Sequence, residues 1–357
     1  MKSILLFFLL MVFSLNMFSQ NKTKNLIIVT LDGLRWQEVF GGIDTQIVNN
    51  NKFTKDPVQM KMKFGDVDPE VRRNKLFPFI WNTVAKKGVI FGNRNKGSFV
   101  NVANKYWFSY PGYNEIFTGY PDTLVNSNDK NWNKNENVLE YLNSRQGFKN
   151  KIAVFSTWDV FPYIFNNKRN SLFVNSDVDT LHFNDPKLSL INDMQFLTTR
   201  PIDVRPDIFT YFAAREYLKM NRPRVLYIAF DETDDFAHEG TYNQYIKSAN
   251  AEDAMLADLW KWVQSDPEYK DKTTLIITCD HGRGDKKKEE WTSHGSKVEG
   301  SDQIWIAAIG PDTPAKGEAI PSKPLFQAQL ASSFASILGF QFKPSHPYME
   351  AIQDLYK

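Results

Sequence analysis

Five short apolar runs, rich in β-branched and aromatic residues, constrain the fold of this chain more than any other feature of its sequence. They lie at residues 26–31, 152–155, 225–230, 274–278 and 304–309. Continuous apolar runs of this kind are typical of strands buried on both faces of a parallel sheet. Helical patterns separate them, most clearly at residues 245–264, just before Asp266-Pro267. The sequence therefore predicts an α/β fold with a layered, mostly parallel central sheet and helices on both faces.

Composition excludes two other classes of protein, namely largely disordered proteins and nucleic-acid-binding proteins. The chain has 357 residues, of which 42% are hydrophobic, and this is ample material for a large packed core. Its formal charge is only +2, whereas nucleic-acid binding requires a concentrated basic surface. We therefore expect a folded globular protein that does not bind nucleic acid, except for possible nucleotide substrates.

The N-terminus has the layout of a secretory signal peptide. Residues 4–13 are apolar without interruption, and the following segment turns polar around the small Ser19. The alternative, a membrane anchor, needs roughly 20 apolar residues, which is more than this run supplies. We expect cleavage near Ser19 or Gln20, so that residues 1–19 are lost and the protein is exported to the periplasm or the extracellular space without a membrane attachment.

The remaining residues, 20–357, are predicted to form a single domain. Insertions near residues 40–77 and 161–205 are expected to shape a pocket as loops. The Asn-rich segment 126–137 is expected to be a polar surface loop. Cys279 is the single cysteine, so the fold is predicted to depend on core packing or on metal rather than on a disulfide.

Acidic residues and histidines follow three of the predicted strands, and one more histidine lies in a later polar loop. These residues are Asp32, Asp234, His238, Asp280, His281 and His294. Ligands of α/β proteins bind at the carboxyl edge of the sheet, where such residues meet. Aspartate and histidine together are typical ligands of a borderline divalent metal such as zinc.

Each of these residues also has an ordinary interpretation. Asp32-Gly33 could be a turn, Asp234 and His238 could form a helical i,i+4 ion pair, and Asp280 could cap a helix. However, three of the five histidines fall in these acid-rich contexts. The other two histidines, His182 and His346, are predicted to be surface or packing residues.

Taken in order, the motifs resemble the alkaline phosphatase superfamily, and in particular its nucleotide pyrophosphatase/phosphodiesterase branch. The motifs are Leu31-Asp32-Gly33-Leu34-Arg35, Ser109-Tyr110-Pro111-Gly112-Tyr113 ending in Thr118-Gly119, Asp234-x-x-x-His238, Asp280-His281-Gly282 and His294-Gly295. The resemblance implies an alkaline-phosphatase-like fold and a metal-dependent hydrolase of phosphate esters.

The same resemblance implies two metal sites that share one phosphoryl group. Asp234, His238 and His294 would hold one ion, and Asp32, Asp280 and His281 would hold the other beside the nucleophile. Two zinc ions are the expected cofactors, with manganese as the alternative because three carboxylates also suit a harder ion.

Ser109 is implied as the nucleophile and as a further metal contact, because it lies at the family's usual distance before Thr118-Gly119. A neighbouring metal can favour the serine alkoxide, which would attack phosphorus and form a phosphoserine. An ordinary loop serine is the alternative. Gly112 and Tyr113 depart from the branch's usual Asn and His.

Other phosphate-binding groups are less defined by the motifs. The resemblance implies an Asn donor after the nucleophile, for which Asn128 is the best placed and Asn126 the next. Arg35 is expected to have a structural role, and the lysines of residues 286–288 are expected to be solvated.

The substrate class follows partly from missing motifs. Ser109-Tyr110-Pro111-Gly112-Tyr113 lacks the Arg of the sulfatase motif, and phosphoglycerate mutases of the superfamily are longer cytosolic enzymes. Some monoesterases of the superfamily have a Lys-x-Arg pair after a central strand, and the matching stretch here, Ser156-Thr157-Trp158-Asp159, has no cation. The sequence therefore favours small phosphodiester substrates. The alternatives are a phosphomonoesterase with the same metal site and a catalytically silent metal-binding protein of the same fold.

Overall fold

The computed structural model describes residues 22–182 and 185–356, so the predicted signal peptide lies outside the described residues. Its strands are β1 (Asn25–Leu31), β2 (Val89–Phe91), β3 (Val100–Asn101), β4 (Ile152–Ser156), β5 (Phe173–Ser176), β6 (Val225–Phe230), β7 (Thr273–Thr278), β8 (Ile306–Ile309), β9 (Gly317–Glu318) and β10 (Leu325–Phe326).

The α-helices of the described residues alternate with these strands. They are α1 (Trp36–Gly41), α2 (Thr45–Val48), α3 (Pro57–Phe64), α4 (Pro69–Leu76), α5 (Ala85–Lys87), α6 (Ser109–Thr118), α7 (Val138–Asn143), α8 (Phe161–Ile164), α9 (Asn167–Asn170), α10 (Pro186–Leu197), α11 (Asp207–Asn221), α12 (Glu232–His238), α13 (Tyr242–Ser265) and α14 (Leu330–Ile337). A π-helical segment, Ile80–Val84, precedes α5.

The central sheet is mostly parallel, as predicted. In the described part of the chain it has eight strands in the order β5-β4-β6-β1-β7-β8-β2-β9. The strands from β5 to β7 in this order run parallel, and β8 is antiparallel to both of its neighbours. All five predicted runs contribute a strand. The last strand starts later than predicted, at Ile306, because the backbone N–H of Ile304 donates to the carbonyl of Val100 instead.

Burial explains why the central strands are apolar throughout. Every residue of β1, β6 and β7 is buried. Since successive side chains of a strand point to opposite faces, both faces of the sheet must be covered. Among the covering helices, α11 packs against β4 and β6. None of the described helices is both long and apolar enough to cross a membrane.

The two predicted insertions are more ordered than loops. Residues 40–77 contain three of the short helices, α2, α3 and α4, and residues 161–205 contain β5, which pairs with β4 at the edge of the sheet, together with α10. The expectation of simple loops was therefore wrong. Strand β5 lies at the edge of the sheet and has four residues, two of which are not buried. It therefore has no continuous apolar run that the sequence could reveal.

Candidate active site

Three neighbouring parallel strands, β6, β1 and β7, bring the predicted ligands to one edge of the sheet. The register pairs Leu31 with Phe230 and Thr30 with Thr278. The residues that follow these strands therefore emerge side by side, and they include Asp32 and Asp280. Helix α12, which starts directly after β6, carries Asp234 and His238 to the same edge.

One group of ligands consists of Asp32, Asp280 and His281, whose ligand atoms all lie within 4.8 Å of one another. The Nε2 atom of His281 lies 3.3 Å from Asp32 Oδ1 and 3.4 Å from Asp280 Oδ2. All three side chains are almost completely buried. This is the second triplet that the resemblance implies.

The other group is arranged slightly differently from the implied triplet. Ligand atoms of Asp234, His281 and His294 lie within 4.8 Å of one another, so His281 belongs to both groups. His238 lies at the outer side of this group, with its Nε2 atom 3.0 Å from Asp234 Oδ2 and 2.9 Å from His294 Nε2. Its side chain is 46% exposed. The structure thus brings all six predicted ligands together.

Backbone carbonyls orient two of the imidazoles. His281 Nδ1 lies 2.9 Å from the carbonyl of Gly282, and His294 Nδ1 lies 3.3 Å from that of Trp107. A neutral ring that donates from Nδ1 leaves the Nε2 lone pair free for a metal. Trp107 has a φ of 56°, an uncommon left-handed conformation for an aromatic residue, at the point where the chain approaches the site.

Two buried carboxylate oxygens point into this cluster without a hydrogen-bond partner among the described residues, namely Asp32 Oδ1 and Asp280 Oδ2. Burial and the Asp32 carboxylate raise the pKa of Asp280 well above its usual range. Burial lowers the pKa of His281, but Asp280 and Asp32 oppose it and raise that pKa to about 9. A divalent cation would relieve this repulsion, and the aspartate and histidine donors suit zinc.

Ser109 lies beside this cluster, at the first residue of α6. Its Oγ atom is 3.4 Å from His281 Nε2, and its side chain is buried. The N-terminal end of a helix favours a negatively charged group such as a phosphoryl oxygen. The position of Ser109 is therefore suited to a nucleophile, in agreement with the role that the resemblance implies.

Two glycines permit the close packing of this site. A Cβ atom on Gly112 would lie 2.5 Å from the carbonyl oxygen of Asp280, so α6 rests directly on the chain that follows β7. Gly33 has a φ of 57°, and a Cβ atom there would lie 2.5 Å from Asp234 Oδ1. Substitution of either residue would separate the ligands from one another.

Tyr113 and Arg283 contact the predicted ligands, although the sequence reasoning assigned them no role. The hydroxyl of Tyr113 donates to Asp32 Oδ2 at 2.7 Å, and Arg283 Nη1 donates to Asp234 Oδ1 at 2.6 Å. The departure of Tyr113 from the family motif was the available signal for the first residue. For Arg283 the only signal was its position directly after Asp280-His281-Gly282.

Asn128 is hydrogen-bonded to Tyr110, the residue that follows the candidate nucleophile Ser109. Its Oδ1 atom accepts the backbone N–H of Tyr110 at 3.0 Å, and its Nδ2 has no partner among the described residues. The Asn-rich segment also lines a cavity of about 480 Å³ beside Tyr110, together with Asp122 and Trp132. Residues 126–137 therefore form the wall of a pocket as well as a surface loop, and Asn126 is part of that wall.

The remaining polar residues have structural contacts. Arg35 is fully buried and bonds to Glu38, which confirms its predicted structural role. Lys286 forms an exposed pair with Glu299. Lys288 is only partly exposed and pairs with both Asp44 and Asp285, so the expectation that the lysines of residues 286–288 are solvated was wrong for Lys288. The two histidines outside the site behave as predicted, because His182 is exposed and His346 stacks on Tyr120.

A comparison with protein families assigns most of the chain. The sequence model of the family named type I phosphodiesterase / nucleotide pyrophosphatase matches residues 43–305, about three quarters of the sequence. This match contains Ser109 and all of the candidate ligands except Asp32, which precedes it. No curated protein matches the sequence significantly.

Solved structures share the fold at low sequence identity. The alkaline phosphatase PafA has a TM-score of 0.62 at 10% identity, over 95% of this chain and 99% of PafA. A putative sulfatase from Bacteroides thetaiotaomicron has a TM-score of 0.57 at 14% identity, over 90% and 72% of the two chains. The lipoteichoic acid synthase LtaP from Listeria monocytogenes has a TM-score of 0.54 at 14% identity, over 93% and 75%. The chain thus belongs to the type I phosphodiesterase / nucleotide pyrophosphatase family and has the mixed α/β fold of the alkaline phosphatase superfamily of hydrolases.

Proposed function

We propose that this protein is an exported two-metal hydrolase of phosphate esters that acts through a covalent phosphoserine at Ser109. The observation that carries the proposal is the 3.4 Å distance between Ser109 Oγ and His281 Nε2, because His281 belongs to both candidate metal groups. A nucleophile in this position lies beside both groups at once. Zinc is the proposed metal, and manganese is the alternative.

The residues that would hold the ions are those already grouped by the structure. Asp32, Asp280 and His281 would hold one ion, with Ser109 beside it, and Asp234, His238 and His294 would hold the other. When bound, the ions would supply positive charge to the phosphoryl oxygens and lower the pKa of the serine hydroxyl.

Ser109 performs the covalent chemistry in this proposal. Its Oγ atom loses its proton and bonds to phosphorus while the bond from phosphorus to the leaving alcohol breaks, and that alcohol takes up a proton. For a diester, the intermediate on Ser109 still carries the second ester group. Water then breaks the bond from phosphorus to Oγ, which releases a phosphate monoester and restores the serine hydroxyl. Asn128 presents its Nδ2 hydrogens to a phosphoryl oxygen, because its Oδ1 atom is already held by the N–H of Tyr110. The N-terminal end of α6 adds a favourable partial charge.

Phosphodiesters are the proposed substrates, because the residues after β4 offer no surplus positive charge. The hydroxyl of Thr157 bonds to Asp207 at 2.5 Å. Asp159 pairs with Lys130 at 2.5 Å on the exposed surface, so a carboxylate already accompanies the charge of this lysine. A monoester carries nearly two negative charges and would require further cations there.

Kinetics on matched esters test the substrate class. The zinc-loaded protein is assayed with a para-nitrophenyl monoester, the corresponding methyl diester and the sulfate ester, and metal content is measured by elemental analysis. We expect about two zinc ions per chain and the highest kcat/KM for the diester. A tenfold preference for the monoester would make the protein a phosphatase, whereas preference for the sulfate, or activity insensitive to chelator, would overturn the proposal.

Export is tested separately. The proposal rests on the signal-like layout of residues 1–20. Expression of the full chain in a bacterium, followed by cell fractionation and N-terminal sequencing, should give a product outside the cytoplasm that begins near Gln20. A cytoplasmic product with an intact N-terminus would contradict export.

A further inference from the structure

Arg283 is a buried cation that directly contacts a candidate metal ligand. Its side chain has no exposed surface, and Nη1 donates to Asp234 Oδ1 at 2.6 Å. Three further hydrogen bonds fix the guanidinium, from Nε to the carbonyl of Trp291 at 2.9 Å and from Nη2 to those of Thr292 at 3.2 Å and Asp234 at 3.3 Å. The position of this charge is therefore rigidly determined by its surroundings.

Each of the three carboxylates in the site has one oxygen that accepts a hydrogen bond from a tyrosine, an arginine or a backbone N–H group. Tyr113 holds Asp32 Oδ2, and the backbone N–H of Gly33 holds Asp280 Oδ1 at 3.1 Å. These two donors are neutral, but the donor to Asp234 is charged. In each case the second oxygen faces an imidazole, and for Asp234 this is Oδ2, 3.0 Å from His238 Nε2. The oxygen of Asp234 that Arg283 holds, Oδ1, also lies 3.7 Å from His281 Nε2 and 3.8 Å from His294 Nε2.

The two candidate sites consequently differ in charge. Asp32 and Asp280 give one site two negative charges, whereas the single charge of Asp234 is offset by Arg283. The sites also differ in accessibility, because Asp32 and Asp280 are almost completely buried while His238 is 46% exposed. Both differences favour tighter binding of a cation by the buried pair of carboxylates.

We propose that Arg283 is a positioning residue that donates to Asp234, offsets the charge of this carboxylate and makes the ion held by Asp234, His238 and His294 the weaker-bound of the two. This inference rests on the proposed function, since it assumes that both groups bind metal. The physical reason for the proposal is the repulsion that the guanidinium would exert on a divalent cation bound by the same carboxylate.

Calorimetric titration of the metal-free protein with zinc, in the presence of a competing chelator, tests the proposal. We expect two binding steps of different affinity, and His238→Ala should abolish the weaker step only. Arg283→Met removes the charge and should tighten the weaker step at least tenfold. Arg283→Lys keeps the charge and should leave that step within about threefold of the unmodified protein.

Arg205→Met is the matched control. Arg205 is also completely buried, and it donates to Ser156, Asn175 and Thr210 rather than to a candidate ligand. This variant should lose a comparable amount of stability, measured by thermal unfolding, but should leave both zinc affinities unchanged. A purely structural role of Arg283 would make the two Met variants behave alike.

If His238→Ala lost the tighter zinc-binding step instead of the weaker one, the inference would be overturned. This test does not depend on whether Arg283→Met folds. An unchanged or weakened second step in folded Arg283→Met would overturn it as well. Either outcome would leave the proposed two-metal function in place. In contrast, a protein that binds no zinc would contradict the proposed function itself.

Discussion

Tyr113 illustrates how single residues adjust the candidate site. It replaces the histidine that the resembling branch has at this position, and its hydroxyl donates to Asp32 Oδ2 at 2.7 Å. Burial, together with the Asp280 and Asp32 carboxylates, raises the pKa of Tyr113 well above its usual range, so the hydroxyl keeps its proton and remains a donor. This bond leaves Asp32 Oδ1 directed at His281.

Tyr113→Phe should therefore weaken metal binding at the Asp32, Asp280 and His281 group by roughly 10–100-fold, the usual effect of removing a partner of a metal ligand. The change removes one hydroxyl and keeps the ring packed against Phe161. Zinc titration measures the effect. Tyr110→Phe, which removes a hydroxyl bonded to the Asn131 carbonyl, is the control, and equal affinities in both variants would contradict the assigned role.

Ser109→Ala should lower kcat by several orders of magnitude and keep the zinc content, because it removes the nucleophile and none of the six Asp and His ligands. Turnover and elemental analysis are measured on the same preparation. His294→Ala, by comparison, should lose metal first. Near-normal turnover of Ser109→Ala would show that Ser109 is a bystander.

At the scale of elements, the contact between the start of the π-helical segment Ile80–Val84 and α13 depends on one carboxylate. Asp253 accepts the backbone N–H groups of Phe79 at 2.8 Å and Ile80 at 3.0 Å. Burial raises the pKa of Asp253 to about 7, although these hydrogen bonds act in the opposite direction.

This shift predicts a pH dependence of stability with a definite sign. The pKa is about 7 in the folded state and 3.8 as the reference value, so the folded protein binds the proton more tightly. The stabilisation that comes from the tighter proton binding of Asp253 in the folded state is fully present below pH 3.8, and it is lost as the pH rises towards 7. We expect Asp253 to reduce the free energy of unfolding by up to about 4 kcal/mol over this interval.

Asp253→Asn removes the titrating group and should flatten this part of the profile. Urea denaturation of both proteins between pH 4 and pH 7 measures the difference. Glu115, whose burial also raises its pKa to about 7, is present in both proteins and therefore cancels in the comparison. Parallel profiles would show that Asp253 does not titrate in this range.

At the scale of the whole molecule, the candidate metal site joins segments that are far apart in the sequence. Its ligands follow β1, lie on α12, follow β7 and lie in the loop at His294. Metal that binds only the folded state stabilises it by about 4 kcal/mol per site at a free concentration 1,000-fold above Kd.

Removal of metal by a chelator should therefore lower the Tm by several degrees, and zinc should restore it. Differential scanning calorimetry measures the change. The double variant Asp32→Asn/Asp234→Asn, which lacks a carboxylate of each group, should show no response to chelator. A Tm of the unmodified protein that is independent of chelator and of zinc would contradict metal-linked folding.

The sequence by itself determined five of the eight strands in the described central sheet, together with the six candidate ligands. An apolar run of four to six residues is a local property, and so is the acid or histidine that follows it. Because parallel strands place their carboxyl ends at one edge, these local patterns also predict that Asp32, Asp234 and Asp280 meet. The fold class follows from the same patterns, and the structure confirms it.

Only the tertiary structure decided which atoms face one another. The contact of Tyr113 with Asp32 joins residues 81 positions apart, and that of Arg283 with Asp234 joins residues 49 positions apart. Neither contact has a periodicity or a motif, because it arises only when α6 rests on the end of β7 and the loop after β7 folds over α12. The edge strand β5 was missed for a related reason: its pairing with β4 depends on a neighbour rather than on its own pattern.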